Sequence, residues 1–268
     1  MPDASSTAVP DAPTLDPAAA AEAYHRDGYV VLRGCFNAGE VIAASKECWR
    51  LLSLDLVEPE NHRTQFTKSA SRSLGIPERI DPVLDLSPLF RKLVNDPRLT
   101  DVLHAIYGGP ALVFKDKLIF KAPGVQGYAM HQDASWWQGY DLPIDALLSV
   151  AISIDDADAE NGCIEVFPGY HDRLLSAEGE MRDMTDQEAA VIRDEDAFRA
   201  ETKAGDVVIF HALTPHRSGK NDTHRPRRSL YLTYNDARHG DLHDTFYKRD
   251  IRVKMEGRQA EVPGLYYR

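Results

Sequence analysis

ALVFKDKLIFKA, residues 111–122, is the stretch at which the chain changes character. Apolar runs flank the charged triplet Lys115-Asp116-Lys117 in it, a short strand-like pattern, and successive side chains of an extended strand point to opposite faces. The later apolar runs keep this short form: YAMHQDASWW (128–137), LLSVAISI (147–154), GCIEVFPG (162–169), DVVIFHAL (206–213) and RSLYLTYN (228–235). Gly, Pro, Asn and Asp turn signals separate them. Many short strands in one segment predict a sandwich or barrel. A helical insert, TDQEAAVIRDEDAF (185–198), is expected to interrupt them.

Upstream, the signals are helical. Asp16 with Pro17 reads as an N-cap followed by the first helical residue, with Gly28 as the stop. YVVLRG (29–34) is then a short strand, and Asn37 with Glu40 forms a capping-box pattern opening the next helix. Asp96-Pro97 starts another, ending near Gly108-Gly109. The expectation is a mainly β fold with flanking helices: a helical part over about 15–110, then a strand-rich core over about 111–240, in a single domain. Residues 1–14, rich in Ala, Ser, Pro and Asp, read as a disordered leader.

At 268 residues the chain can bury one sizeable core. A net charge of −11 argues against nucleic acid or an anionic membrane as a partner. Three cysteines, Cys35, Cys48 and Cys163, form no CxxC and no even framework, which points to reduced thiols and a cytoplasmic setting. No apolar run approaches transmembrane length, and no signal-peptide pattern opens the chain.

The chemistry lies in HQD (131–133) and PHRSGKNDTHRPR (215–227). Two imidazoles and one carboxylate on one face of a ferrous ion leave the opposite face open for oxygen and a co-substrate. If the strand through YAMHQDASWW continues, His131 and Asp133 point the same way, and His216 completes the face from a strand distant in sequence. A second HxD, His239 to Asp241 with His243 and Asp244 beside it, lies in a Gly/Asp-rich stretch and reads as a solvated polar loop. His211 reads as a hydrogen-bonded barrel histidine, and Asn161-Gly162 as a structural turn.

Taken in order, HRDGYVVLRGCF (25–36), FKAPG (120–124), HQD, ENGCIEVFPGYH (160–171), AGDVVIF (204–210) and HRSGKN (216–221) resemble the phytanoyl-CoA dioxygenase-like family of Fe(II)/2-oxoglutarate oxygenases. The resemblance implies a double-stranded β-helix core, a jelly-roll or cupin-like barrel. It implies Fe(II), 2-oxoglutarate and O2, with His131, Asp133 and His216 as the catalytic metal ligands. It also implies that Arg227 salt-bridges the distal carboxylate of 2-oxoglutarate, a task suited to a planar guanidinium. Strand parity agrees, because Arg227, Ser229, Tyr231 and Thr233 share one face, leaving Arg225 and Arg228 as rim or surface groups. A solvated basic edge is the alternative for all three arginines.

Further positions follow from the resemblance or from parity. Ser218, two past His216, can donate to the same carboxylate, and Lys117 falls where the family places a co-substrate contact. Lys115 and Lys121 share the face of Lys117, so the choice among the three stays open. Trp137 resembles the aromatic wall of related hydroxylases, while Trp136 would point away on a continuing strand. Tyr128 reads equally as pocket wall or core. The carboxylate of Asp133 argues against a halogenase, whose site needs that place for chloride, and for hydroxylation or a related oxidation.

Arg217, Lys220, Arg225, Arg227 and Arg228 face one acid, Asp222, in that stretch. Such a basic region favours a small polar or anionic metabolite, such as a phosphonate, an amino acid or a natural-product intermediate. His62, Arg63, Gln65 and Lys68 read as part of a lid or as a surface loop. Two other classes remain open: a cupin-type metal oxygenase that does not use 2-oxoglutarate, and a non-catalytic jelly-roll binding module.

Overall fold

The helix caps act where the sequence puts them. In a computed structural model that describes residues 16–54, 63–65, 75–138, 140, 142–143 and 146–249, helix α1 (Pro17–Asp27) starts on the Asp16 carboxylate, which accepts from Ala18 N. It stops at Gly28, whose φ of 79° is left-handed. Helix α2 (Ala38–Leu52) opens on the reciprocal Asn37/Glu40 capping box. Helices α3 (Pro88–Val94) and α4 (Pro97–Tyr107) each follow a capping side chain, Ser87 or Asp96, and begin with proline. The Ser87-Pro88 signal for α3 was as plain as the others and was missed. The expected leader lies outside the described residues.

The strands form two antiparallel sheets. The larger has the order β1 (Tyr29–Leu32), β9 (Val207–His211), β6 (Leu147–Ser153), β11 (Arg227–Asp236), β4 (Ala111–Lys121), β3 (Arg79–Ile80), β2 (Thr64–Gln65). The smaller runs β5 (Tyr128–His131), β10 (His216–Ser218), β7 (Ile164–Val166), β8 (Phe198–Ala200). One face of the larger sheet, with Leu118, Val150, Leu230 and Leu232, packs with residues of the four helices in the main core. Each such side chain contributes about 1.5–3 kcal/mol on burial. Ala151, Val208 and Phe210 of the larger sheet meet Ile164 and Val166 of the smaller in a separate apolar cluster. The site lies between the two sheets.

Two expectations are corrected. The run YAMHQDASWW leaves the sheet at His131, and Asp133–Trp136 is a helical turn, α5. The insert at 185–198 is not a continuous helix: it holds one short turn, α6 (Asp186–Ala189), and a 3-10 turn at Asp194–Asp196. Residues 243–249 are also helical. Among the described residues, no helix is long and apolar enough to cross a membrane.

Candidate active site

His131 and His216 end up side by side because β5 and β10 pair antiparallel with these two residues directly opposite. Their ring centroids are 4.1 Å apart. Each ring is fixed in the same way, through Nδ1 and the carbonyl two residues earlier: Ala129 O at 2.8 Å and Thr214 O at 3.0 Å. With Nδ1–H donating there, each Nε2 is left as a lone-pair donor. Both Nε2 atoms face Asp133 Oδ1, at 3.7 Å and 3.9 Å. Ligand atoms of the three residues all lie within 4.8 Å of one another, the only such group of His, Cys, Asp or Glu among the described residues.

The carboxylate reaches this place from a helical turn and not from a strand. Gln132 makes the turn possible: it is fully buried, its amide donates to Arg173 O and Leu213 O, and its carbonyl accepts from Leu175 N. Ala134 N adds a bond to Ala212 O, which ties the turn to the segment before His216. Asp133 Oδ2 accepts from the Ser149 hydroxyl, leaving Oδ1 toward the imidazoles. Ser149 and Gln132 escaped the sequence reading. Their signals were a hydroxyl inside an apolar strand and the middle letter of HQD.

Burial, with His131 next in order, pushes the His216 imidazole down to about 4, so it is neutral and able to ligate. Burial alone would raise the Asp133 carboxyl. His216, His131, Lys117 and the Ser149 hydroxyl outweigh it and hold the group below the usual carboxylate range. Two imidazoles and one carboxylate fit a ferrous ion.

Beyond His216 the cleft is lined by Arg227, Ser229 and Tyr231 of the larger sheet and by Ser218, Tyr128 and Ile164 of the smaller. Arg227 is 5% exposed, its Nε has no hydrogen-bond partner, and no described acid pairs with it. Burial pushes its guanidinium below the ordinary value, yet arginine stays charged. An isolated buried cation is costly unless an anion completes it. Ser218 Oγ already accepts from Lys121 Nζ at 2.9 Å and from Tyr128 N at 3.2 Å, which leaves its proton to donate into the cleft. Arg227 and Ser218 thus fit the distal carboxylate of 2-oxoglutarate.

The three lysines of β4 separate clearly. Lys121 is bound by Ser218 and by the carbonyls of Gly162 and Gly219. Lys115 pairs with Asp81 at 3.3 Å. Lys117 lies over the Tyr231 ring at 4.8 Å, at the junction of the cleft with an outer cavity of about 440 Å³. Burial first, then Lys115 and Arg79, push it down to about 7. Trp137 and Tyr128 both line the outer cavity. So does Trp136, contrary to expectation, because the strand that would have turned it away has ended.

The expected basic region dissolves. Arg217 pairs with Glu165 and Asp194, Lys220 with Asp222, and Arg225 with Asp158. Arg228 is not a surface group: it is buried, paired with Asp155 and bonded to Ser45 under α2. Arg63 is buried and bonded to Asp85, so it is neither lid nor solvated loop. His62, Lys68 and the side chain of Gln65 lie outside the described residues. His211 accepts from Leu213 N and takes no part in the ligand group. The second HxD stays outside the ligand group, with Gly240 and Asp241 exposed, while His243 beside it bonds the buried Asp116 at 2.7 Å.

The profile of the phytanoyl-CoA dioxygenase (PhyH) family matches residues 24–229. The chain is 34% identical over 186 residues to a methylphosphonate hydroxylase of Gimesia maris, covering 69% of this chain and 67% of that one. It is 26% identical over 246 residues to a 2-aminoethylphosphonate dioxygenase of an uncultured bacterium, covering 90% and 89%. Among solved structures it is similar to EctD from S. alaskensis with 2-oxoglutarate and 5-hydroxyectoine. That match has a TM-score of 0.71 at 25% identity, over 87% of this chain and 80% of that one.

Proposed function

The chain belongs to the phytanoyl-CoA dioxygenase (PhyH) family, and from that premise we propose that it is an Fe(II)- and 2-oxoglutarate-dependent dioxygenase that hydroxylates a C–H bond of a small polar or anionic metabolite. One observation carries the reading: a three-ligand group and an uncompensated buried arginine line the same cleft. His131, Asp133 and His216 would hold the iron. Arg227 and Ser218 would take the distal carboxylate of the co-substrate, with Tyr128 as the facing wall and Lys117 nearer the metal. Bound together, iron and 2-oxoglutarate would use O2 to supply an oxidant for C–H bonds, one oxygen atom going to succinate, formed with CO2, and the other to the substrate.

The protein's own contribution is orientation and exclusion of water. Gln132 and Ser149 keep the ligand carboxylate aimed, the two Nδ1 bonds fix the imidazole tautomers, and Trp137 walls the side from which substrate enters. A metal oxygenase without 2-oxoglutarate would leave Arg227 buried with no anion, and a binding module would leave the ligand group without a task. Two relatives carry phosphonate-oxidising names, which supports a phosphonate among the candidate substrates. Three buried free cysteines support a cytoplasmic setting.

An anaerobic titration of metal-free protein with Fe(II) and then 2-oxoglutarate tests the reading by visible absorption. A weak charge-transfer band that needs both additions, and is lost in Arg227→Ala, is the expected result. Tight iron binding with no such band would replace this reading with an oxygenase that dispenses with 2-oxoglutarate.

A further inference from the structure

One wall of the outer cavity carries charge that this chemistry leaves unused. Lys115 lies on β4 and Arg79 on the adjoining β3, opposite Ile119, which lines the inner cleft. Both cations stand beside a single buried carboxylate, Asp81, at 3.3 Å and 3.7 Å, and Arg79 Nε is buried without a hydrogen-bond partner. One acid stands between these two cations, and Asp183 is a further acid on the cavity. Arg249 brings a third cation to the same cavity from the helix at 243–249, lying over the Tyr140 ring at 4.4 Å. These three cations come from separate elements. The 2-oxoglutarate dianion does not account for them, because Arg227 and the bound Fe(II) would answer its charge.

We propose that Arg79, Lys115 and Arg249 form an anion subsite for the substrate, and that the group it takes is a tetrahedral phosphoryl dianion on a short alkyl chain. The inference rests on the dioxygenase reading, since it takes the outer cavity to be the substrate's route to the iron ligands. A carboxylate is planar and offers two oxygens in one plane. A phosphonate or phosphate monoester offers three oxygens in three directions, one for each donor. Trp136 and Trp137, on the same cavity, cover the alkyl part and exclude water from it. A cavity of about 440 Å³ suits a small molecule of this kind. His131 and Asp133 line this cavity too, so a carbon attached to the held head group is presented to the metal end.

The test uses ethylphosphonate, ethyl phosphate and the planar analogue propionate. In metal-free protein, 31P line broadening reads binding of the first two, and tryptophan quenching reads all three. In the Fe(II)/2-oxoglutarate enzyme, succinate release reads turnover. Ethylphosphonate or ethyl phosphate binds and accelerates succinate release, whichever is turned over naming the source of the phosphoryl group, while propionate does neither. In Arg79→Gln and in Lys115→Met the dissociation constant and KM rise about tenfold or more with kcat within a few-fold, and Lys115→Arg restores both. Propionate equal to ethylphosphonate, or phosphoryl binding unmoved in both charge-removing variants, overturns the subsite. A wild-type protein that forms the absorption band yet binds neither phosphoryl compound fails this inference alone. One that forms no band fails the dioxygenase reading beneath it.

Discussion

On one face of β11, Arg228 has what a buried arginine needs: two hydrogen bonds to the Asp155 carboxylate, one to Ser45 Oγ and a place over the Trp49 ring. On the other face, one residue away, Arg227 is as deeply buried and has no acid among the described residues. The same contrast runs along β4, where Lys121 is held by three oxygens and Lys117 by a tyrosine ring. Registers bind the two strands together, Arg227 opposite Lys121 and Tyr231 opposite Lys117. The satisfied groups hold the fold, and the unsatisfied ones wait for a ligand. Charge left incomplete at the cavity is a cost to the empty protein, and it is recovered only when an anion binds.

The contrast breaks first at the metal ligands. Asp133→Ala and His131→Ala each lower turnover about a thousandfold or more, since even groups that only support a ligand cost about 10–100-fold. Iron binding, read by equilibrium dialysis, weakens with it. Denaturant unfolding of the metal-free variants stays close to the parent, and full activity in either variant would remove the site. The adjacent arginines give the next effect. Arg227→Met raises the KM for 2-oxoglutarate about a hundredfold, the worth of two charge-assisted hydrogen bonds, and leaves the apo protein as stable or more so. Arg228→Met strands Asp155, lowers stability by about 3 kcal/mol and leaves that KM in place. Reversed outcomes for the pair would show that the two faces have been exchanged.

Much of this was legible in advance. Caps at Asp16, Asn37 and Asp96, and the short apolar runs from Ala111 onward, are local signals set by residues near one another in the chain. Parity on β11 put Arg227, Ser229 and Tyr231 on one face, and all three line the cleft. What failed was non-local. The turn of Asp133 out of the strand is made by Gln132 reaching Leu175 and Leu213, and no pattern within HQD announces those partners. The charge of Arg217 and Arg225 is cancelled by Glu165 and Asp158, far off in the chain. Arg79, which stands beside the acid that pairs with Lys115, lay in a stretch with no periodic signal at all.

The smallest expected effect separates Lys117 from Lys121 by pH. Lys117 is pushed down to about 7 by burial and its cationic neighbours, against an ordinary value of 10.5. Between these values the unfolded chain holds a proton on this amine that the folded protein has given up. Stability therefore rises with pH across that window, and it is lost as pH falls back toward 7. Lys117→Met removes this part of the slope, whereas Lys121→Met, which deprives Ser218, Gly162 and Gly219 of their donor, lowers stability at every pH. Unfolding free energies of both variants and the parent at several pH values from 7 to 10 measure the difference. A slope in Lys117→Met identical to the parent's would mean that Lys117 keeps its proton in the folded protein, and that a partner completes it after all.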